Sequence, residues 1–134
     1  MSKTSVYQLT PPEKIALKEY IEDGLKRGTL SWSEAPDACS FFFIDKKDGK
    51  LWPVQDYRPL NAITRKNVAP ISLIPELIDK LLEAWFFTKL NVWWGYNNIC
   101  IWKGNKWKTT FKTPIGLYES LVMNFGLYNV LAIF

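Results

Sequence analysis

The sequence predicts an α+β fold, in which helices mix with short, mostly antiparallel strands. Two observations carry the expectation. Leu17, Ile21 and Leu25 recur every four residues, a helical period, whereas the later apolar runs are short, aromatic-rich and separated by Gly-containing turns. And 134 residues, 48% hydrophobic and 16% aromatic, suffice for one domain with a core and are too few for two.

The first helix starts after Thr10, which can cap it. Pro11 suits the first helical position, and Glu13 stands three residues beyond the cap, as a capping box requires. Lys26 and Arg27 favour the negative end of the helix dipole, and Gly28 ends the helix. Residues 31–40, rich in Ser, Ala, Pro and Asp, read as a loop. Phe41 to Ile44 reads as a short buried strand, Lys46 to Lys50 as a turn with Asp48-Gly49 at its tip, and Leu51 to Tyr57 as the returning strand. Pro53 cannot donate to a ladder, so that strand belongs at an edge or a bulge.

A second helix is expected from about Pro75 to Ala84, with Leu77, Ile78, Leu81 and Leu82 on its buried side. Phe86–Val92, Ile99–Trp102, Lys108–Lys112 and Tyr118–Val122 read as strands. The run from Tyr128 to Phe134 is almost wholly apolar. Such an end leaves a face for a partner or a second copy to cover, or marks a reading frame cut short.

Composition excludes several classes of chemistry. With no histidine, hydrolases built on a histidine base and most zinc sites are out. Cys39 and Cys100 make neither a metal-ligand spacing nor a disulfide framework, which suits a reducing, intracellular compartment. No stretch approaches the roughly 18 consecutive apolar residues of a membrane span, and the first residues lack the apolar core of a signal peptide. A net charge of +4 and a pI near 9.0 favour a polyanionic partner only weakly.

Several segments follow one another in a telling order: Lys46-Lys47-Asp48-Gly49-Lys50, Val54-Gln55-Asp56-Tyr57-Arg58-Pro59-Leu60-Asn61, Phe87-Thr88-Lys89-Leu90, Gly95-Tyr96-Asn97-Asn98-Ile99, Leu121-Val122-Met123, and Phe125-Gly126-Leu127. This series resembles the reverse transcriptase of Ty3/gypsy LTR retrotransposons, in wording nearest to fungal copies, from about Ile15 to Phe134. Many ordered motifs make the match specific where one short motif would not. The resemblance implies the right-handed polymerase fold. The fingers would take about 1–65 and 99–134 and the first palm segment about 66–98, with the chain truncated before the family's Tyr-x-Asp-Asp motif.

The same resemblance implies roles. Lys46 stands where a fingers lysine contacts the incoming triphosphate, and a cation there suits phosphate charge. Tyr96 stands where an aromatic ring gates against the ribose 2′-hydroxyl, and Phe125 and Gly126 in the segment lining the nucleotide pocket. Asp56-Tyr57-Arg58 is a structural signature of the fingers. Trp52 replaces an arginine that grips the triphosphate, and Asn91 replaces the first metal-binding aspartate. The intact family uses Mg²⁺. A neutral amide cannot supply the charge that holds a hard divalent cation, and no Tyr-x-Asp-Asp occurs in these residues.

Many of the departures are of a few kinds: Trp52, Trp93 and Cys100 for arginine, Asn91 and Asn105 for aspartate, Lys106 for glutamate, Val130 for alanine, Leu131 for proline, Ile133 for threonine. Each is one C-to-T change away on one DNA strand or the other, which points to a copy decayed by cytosine deamination, although Asn124 and Tyr128 do not fit. The leading expectation is an inactive reverse-transcriptase-like remnant with no metal or cofactor of its own. The alternative is a nucleic-acid-binding module holding RNA or DNA template-primer weakly through lysines and aromatics. A polymerase completed by another chain would need that partner to bring every metal carboxylate.

Overall fold

Helix α1 runs Pro11–Arg27 and begins and ends as its sequence dictates. The Glu13 carboxylate accepts from the Thr10 hydroxyl at 2.7 Å and from the Thr10 amide at 2.6 Å, bonds that hold its carboxyl below the usual range. At the other end Gly28 turns left-handed at φ 70, a conformation that costs a residue with a Cβ, and the Thr29 amide then reaches the Gly24 carbonyl at 2.9 Å. Leu17 and Ile21 are buried and Leu25 partly so. The computed structural model describes residues 6–68 and 73–133; Phe134, the last residue of the expected apolar run, lies outside them.

Five strands form one mixed sheet: β1 Leu30–Trp32, β2 Cys39–Asp45, β3 Leu51–Gln55, β4 Phe111–Thr113 and β5 Gly116–Ser120, in the order β1-β5-β4-β2-β3. Three pairings are antiparallel and β2–β4 is parallel, with Cys39 opposite Phe111. β3 is an edge strand, as Pro53 demands. Helix α1 packs on β1 and β3. The core is Leu9, Leu17, Ile21, Leu30, Phe41, Phe111 and Tyr118, with the Phe41 and Phe111 rings stacked at 5.5 Å between centroids. Each such side chain contributes about 1.5–3 kcal/mol by leaving water.

Some elements escaped the sequence reading. The loop expected over 31–40 contains the end of β1 and the start of β2, and a short helix α2 spans Arg58–Ile63. The 3₁₀ turns Gly95–Asn98 and Lys103–Thr109 lie between the expected strands, the second running on over Lys108 and Thr109, and Ile99–Trp102 retains only an isolated bridge between Cys100 and Val122. The expected strands Lys108–Lys112 and Tyr118–Val122 are shifted, to β4 and β5. The Thr109 hydroxyl, which accepts from the Ser120 amide at 2.9 Å, and the Thr110 hydroxyl, which donates to the Trp107 carbonyl at 2.7 Å, hold the end of the second 3₁₀ turn.

The larger corrections concern 73–94. Helix α3 spans Ile74–Leu81, near the expected Pro75–Ala84, but its apolar stripe is not buried. Leu77, Ile78, Leu81 and Leu82 are 46–75% exposed, because no described element packs on that face. Phe86–Val92 forms no strand. A strand exists only with a neighbour's backbone to bond, and no described strand lies alongside it. A short helix α4, Val130–Ile133, follows the loop at 125–129; its Val130 is buried while Leu131 and Ile133 are exposed. No helix among the described residues is long and apolar enough to cross a membrane.

Candidate functional site

The antiparallel β2–β3 pairing puts Ile44 opposite Trp52, and the turn beyond it closes with the Lys46 amide donating to the Lys50 carbonyl at 2.9 Å. This register lays the Lys46 ammonium over the Trp52 ring, 3.8 Å from its centroid. Such a cation–π contact is worth about 0.5–1 kcal/mol at an exposed site. Both residues face solvent. At the position where the resemblance implies an arginine, the hairpin thus presents an indole with the Lys46 ammonium docked on it.

A second group forms where the 3₁₀ turn Gly95–Asn98 meets the loop at 125–129. The Tyr96 and Phe125 rings meet edge to face, with centroids 4.9 Å apart and planes at 89°. Trp94, just before the turn, takes the left-handed conformation at φ 53, and the Arg27 guanidinium sits 4.2 Å above its ring while pairing with Asp23 at 2.8 Å. Gly126 has φ 94. An added Cβ would meet only Tyr57, at an ordinary 3.7 Å, so backbone conformation and not space demands glycine here.

The Phe125–Gly126 loop is strapped to α2 by side-chain amides. Asn61 Nδ2 donates to the Gly126 carbonyl at 2.7 Å, and Asn61 Oδ1 accepts from the Tyr128 amide at 2.8 Å. Asn129 returns the arrangement: its Nδ2 donates to the Arg65 carbonyl at 2.9 Å and its Oδ1 accepts from the Asn67 amide at 3.0 Å. Beneath them the buried Tyr57 donates from its hydroxyl to the Thr109 carbonyl at 3.4 Å, and burial pushes its phenol well above the ordinary range. Neither asparagine was singled out for a role by sequence reading. Their partners lie more than sixty residues away, and no local pattern announces them.

Asp56 grips Arg58 with two bonds, to Nε at 2.8 Å and to a terminal guanidinium nitrogen at 2.7 Å. The hydrogen bonds from Arg58 hold the Asp56 carboxyl below its usual value. The Asp56 amide also ties back to β2 through the Ser40 carbonyl at 2.9 Å. The signature therefore fixes the chain between β3 and α2.

The structure brings Lys46 together with Trp52, and Tyr96 together with Phe125 and its neighbour Gly126. Asn91 is exposed in the irregular stretch after α3. Its amide is a poor ligand for a hard cation, and among the described residues no group of three or more Asp, Glu, His or Cys could hold a metal ion. The residues present do not fit Mg²⁺.

No family model matches the chain. It is 39% identical over 121 residues to the Transposon Tf2-3 polyprotein of Schizosaccharomyces pombe, a match that covers 90% of this chain and 9% of that polyprotein. The Tf2-4 polyprotein of the same organism matches equally. The chain thus spans less than a tenth of the length of these relatives. Among solved structures, prototype foamy virus protease-reverse transcriptase (a CSH mutant) superposes with a TM-score of 0.85 at 23% identity, over 98% of this chain and 18% of that one. The foamy viral protease-reverse transcriptase in complex with double-stranded DNA gives 0.78 at 22%, over 98% and 28%. The complex with an RNA/DNA hybrid gives 0.77 at 19%, over 97% and 18%. At these identities the superpositions establish the fold.

Proposed function

Since the chain is a retrotransposon reverse-transcriptase-like segment, we propose that it is a fingers-type nucleic-acid-binding unit that does not polymerise DNA by itself. In this reading residues of about 1–65 and 99–134 are fingers, about 66–98 is the first palm segment, and the source is a Ty3/gypsy element. The observation that carries it is Asn91. Phosphoryl transfer to a primer hydroxyl needs metal ions clamped by carboxylates, and the position the resemblance assigns to the first of them bears a neutral amide. The triphosphate grip is weakened too, because Trp52 occupies the arginine position and holds the Lys46 ammonium on its ring.

Binding asks for less than catalysis. A net charge of +4 and exposed aromatic side chains supply phosphate attraction and stacking surface without any metal. Solved proteins of this fold in complex with double-stranded DNA and with an RNA/DNA hybrid support a template-primer duplex as the partner. The apolar side chains left exposed on α3 and α4 support self-association of the isolated chain.

The test is one preparation in two assays. Fluorescence anisotropy with a labelled RNA/DNA duplex is expected to show weak binding whose logarithm falls linearly with the logarithm of salt concentration. Primer extension with Mg²⁺ is expected to show no product, for the chain and for Asn91→Asp alike. Extension by the unaltered chain would overturn the inactivity, and salt-insensitive or absent duplex binding would overturn the binding role.

A further inference from the structure

Behind the strapped loop lies a cavity of about 440 Å³, between α2, the 3₁₀ turn Lys103–Thr109 and α4. Its size falls within the ~300–1,000 Å³ range of small-molecule sites. The floor is apolar, built from side chains such as Leu60, Met123 and Leu127. The rim is polar and positive. Arg65 and Lys108 supply cations, Asn105 and Asn129 supply amides, and Trp102 and Tyr128 supply aromatic faces that are 80% and 48% exposed. No carboxylate lines the cavity among the described residues.

These groups are held in place. The Lys108 ammonium donates to Asn105 Oδ1 at 2.8 Å, and the Arg65 backbone is pinned by Asn129 Nδ2 at 2.9 Å. The Lys66 ammonium stands 5.0 Å from the centre of the ring of Tyr128, one of the side chains that line the cavity. Cations with no lining carboxylate to neutralise them favour an anion, and charge-assisted bonds to phosphate are the strong kind available to Arg and Lys. Exposed indole and phenol faces beside them favour a planar ring, because every base offers a π-face for stacking. Amides that both donate and accept suit the polar edge of such a ring.

We propose that this cavity is a second site, one that takes a single nucleotide, with the base against Trp102 or Tyr128 and the phosphate between Arg65 and Lys108. A free nucleoside monophosphate and the 5′-phosphorylated end of a single strand share that chemistry. The site is separate from the Lys46–Trp52 hairpin and does not depend on the duplex-binding role.

The experiment is calorimetric titration of the full 134-residue chain with adenosine 5′-monophosphate, with adenosine, and with a short 5′-phosphorylated oligonucleotide. Saturable binding of the monophosphate is expected, about tenfold or more weaker in Arg65→Ala/Lys108→Ala, and weaker again for adenosine. Trp102→Ala or Tyr128→Ala is expected to weaken the monophosphate, and Lys46→Ala to leave it unchanged. Tighter binding of the oligonucleotide than of the monophosphate would identify a strand end as the source, and the reverse a free nucleotide. Arg65 and Lys108 lie at the surface, so an unchanged thermal transition will show the double variant folded. No monophosphate binding, equal binding of adenosine, or loss on Lys46→Ala but not on the double variant would overturn the proposal. Duplex anisotropy on the same variants separates its failure from failure of the duplex-binding role.

Discussion

Cys39 and Cys100 look alike in the sequence and differ in the structure. Cys39 sits at the start of β2, where burial first and the nearby Asp56 charge second push its thiol up to about 12. Cys100 is exposed. The thiolate is the reactive form, so alkylation at pH 8 is expected to modify Cys100 and spare Cys39 in the folded chain. Peptide mass spectrometry would show both modified in urea, and equal labelling without denaturant would contradict the assigned burial. Lys46 teaches a related point. The sequence supports a cation at that position, and only the β2–β3 register shows that the cation rests on Trp52.

At the scale of elements, the fold depends on short pieces tied by side chains. α2 has six residues and no buried one, so intrinsic propensity cannot account for it. Asn61, inside α2, bonds both ends of its amide to the 126–128 backbone. Asn61→Ala is expected to lower stability by about 1 kcal/mol, since solvent-accessible bonds each contribute modestly. Asn61→Asp should cost more, because a carboxylate would face the Gly126 carbonyl in place of the amide donor. Urea unfolding measured by circular dichroism checks both, and an Asn61→Asp variant as stable as the unaltered chain would remove the strap from the account. α1 shows the opposite case. Its cap, its apolar period and its glycine stop are local, and all were legible in advance.

At the scale of the whole molecule, the distribution of tryptophan decides what an experiment will see. Each of the seven tryptophans is more than 40% exposed, from Trp94 at 42% to Trp85 at 92%. The buried aromatic core is instead Phe41, Tyr57, Phe111 and Tyr118. Indole emission is therefore expected to change little on urea unfolding and to be quenched readily by iodide in the folded chain. Far-ultraviolet circular dichroism should report a separate cooperative loss of the sheet and α1. A large blue-to-red emission shift coincident with that loss would mean that the exposed segment 73–94 is packed in solution, by self-association or by the sheet itself.

The sequence by itself determined the α+β class, α1, the β2–β3 hairpin with its edge proline, and the kinship to retrotransposon reverse transcriptases. All of these rest on local spacing or on motif order. The tertiary structure alone decided the parallel β2–β4 pairing, the strap of Asn61 and Asn129, the docking of Lys46 on Trp52, and the exposure of α3's apolar stripe. Periodicity says which face of a helix would be buried, but burial itself requires a partner surface. A strand likewise needs a neighbour's amides and carbonyls, which no residue supplies to itself. Phe86–Val92 has the composition of a strand and remains irregular for that reason.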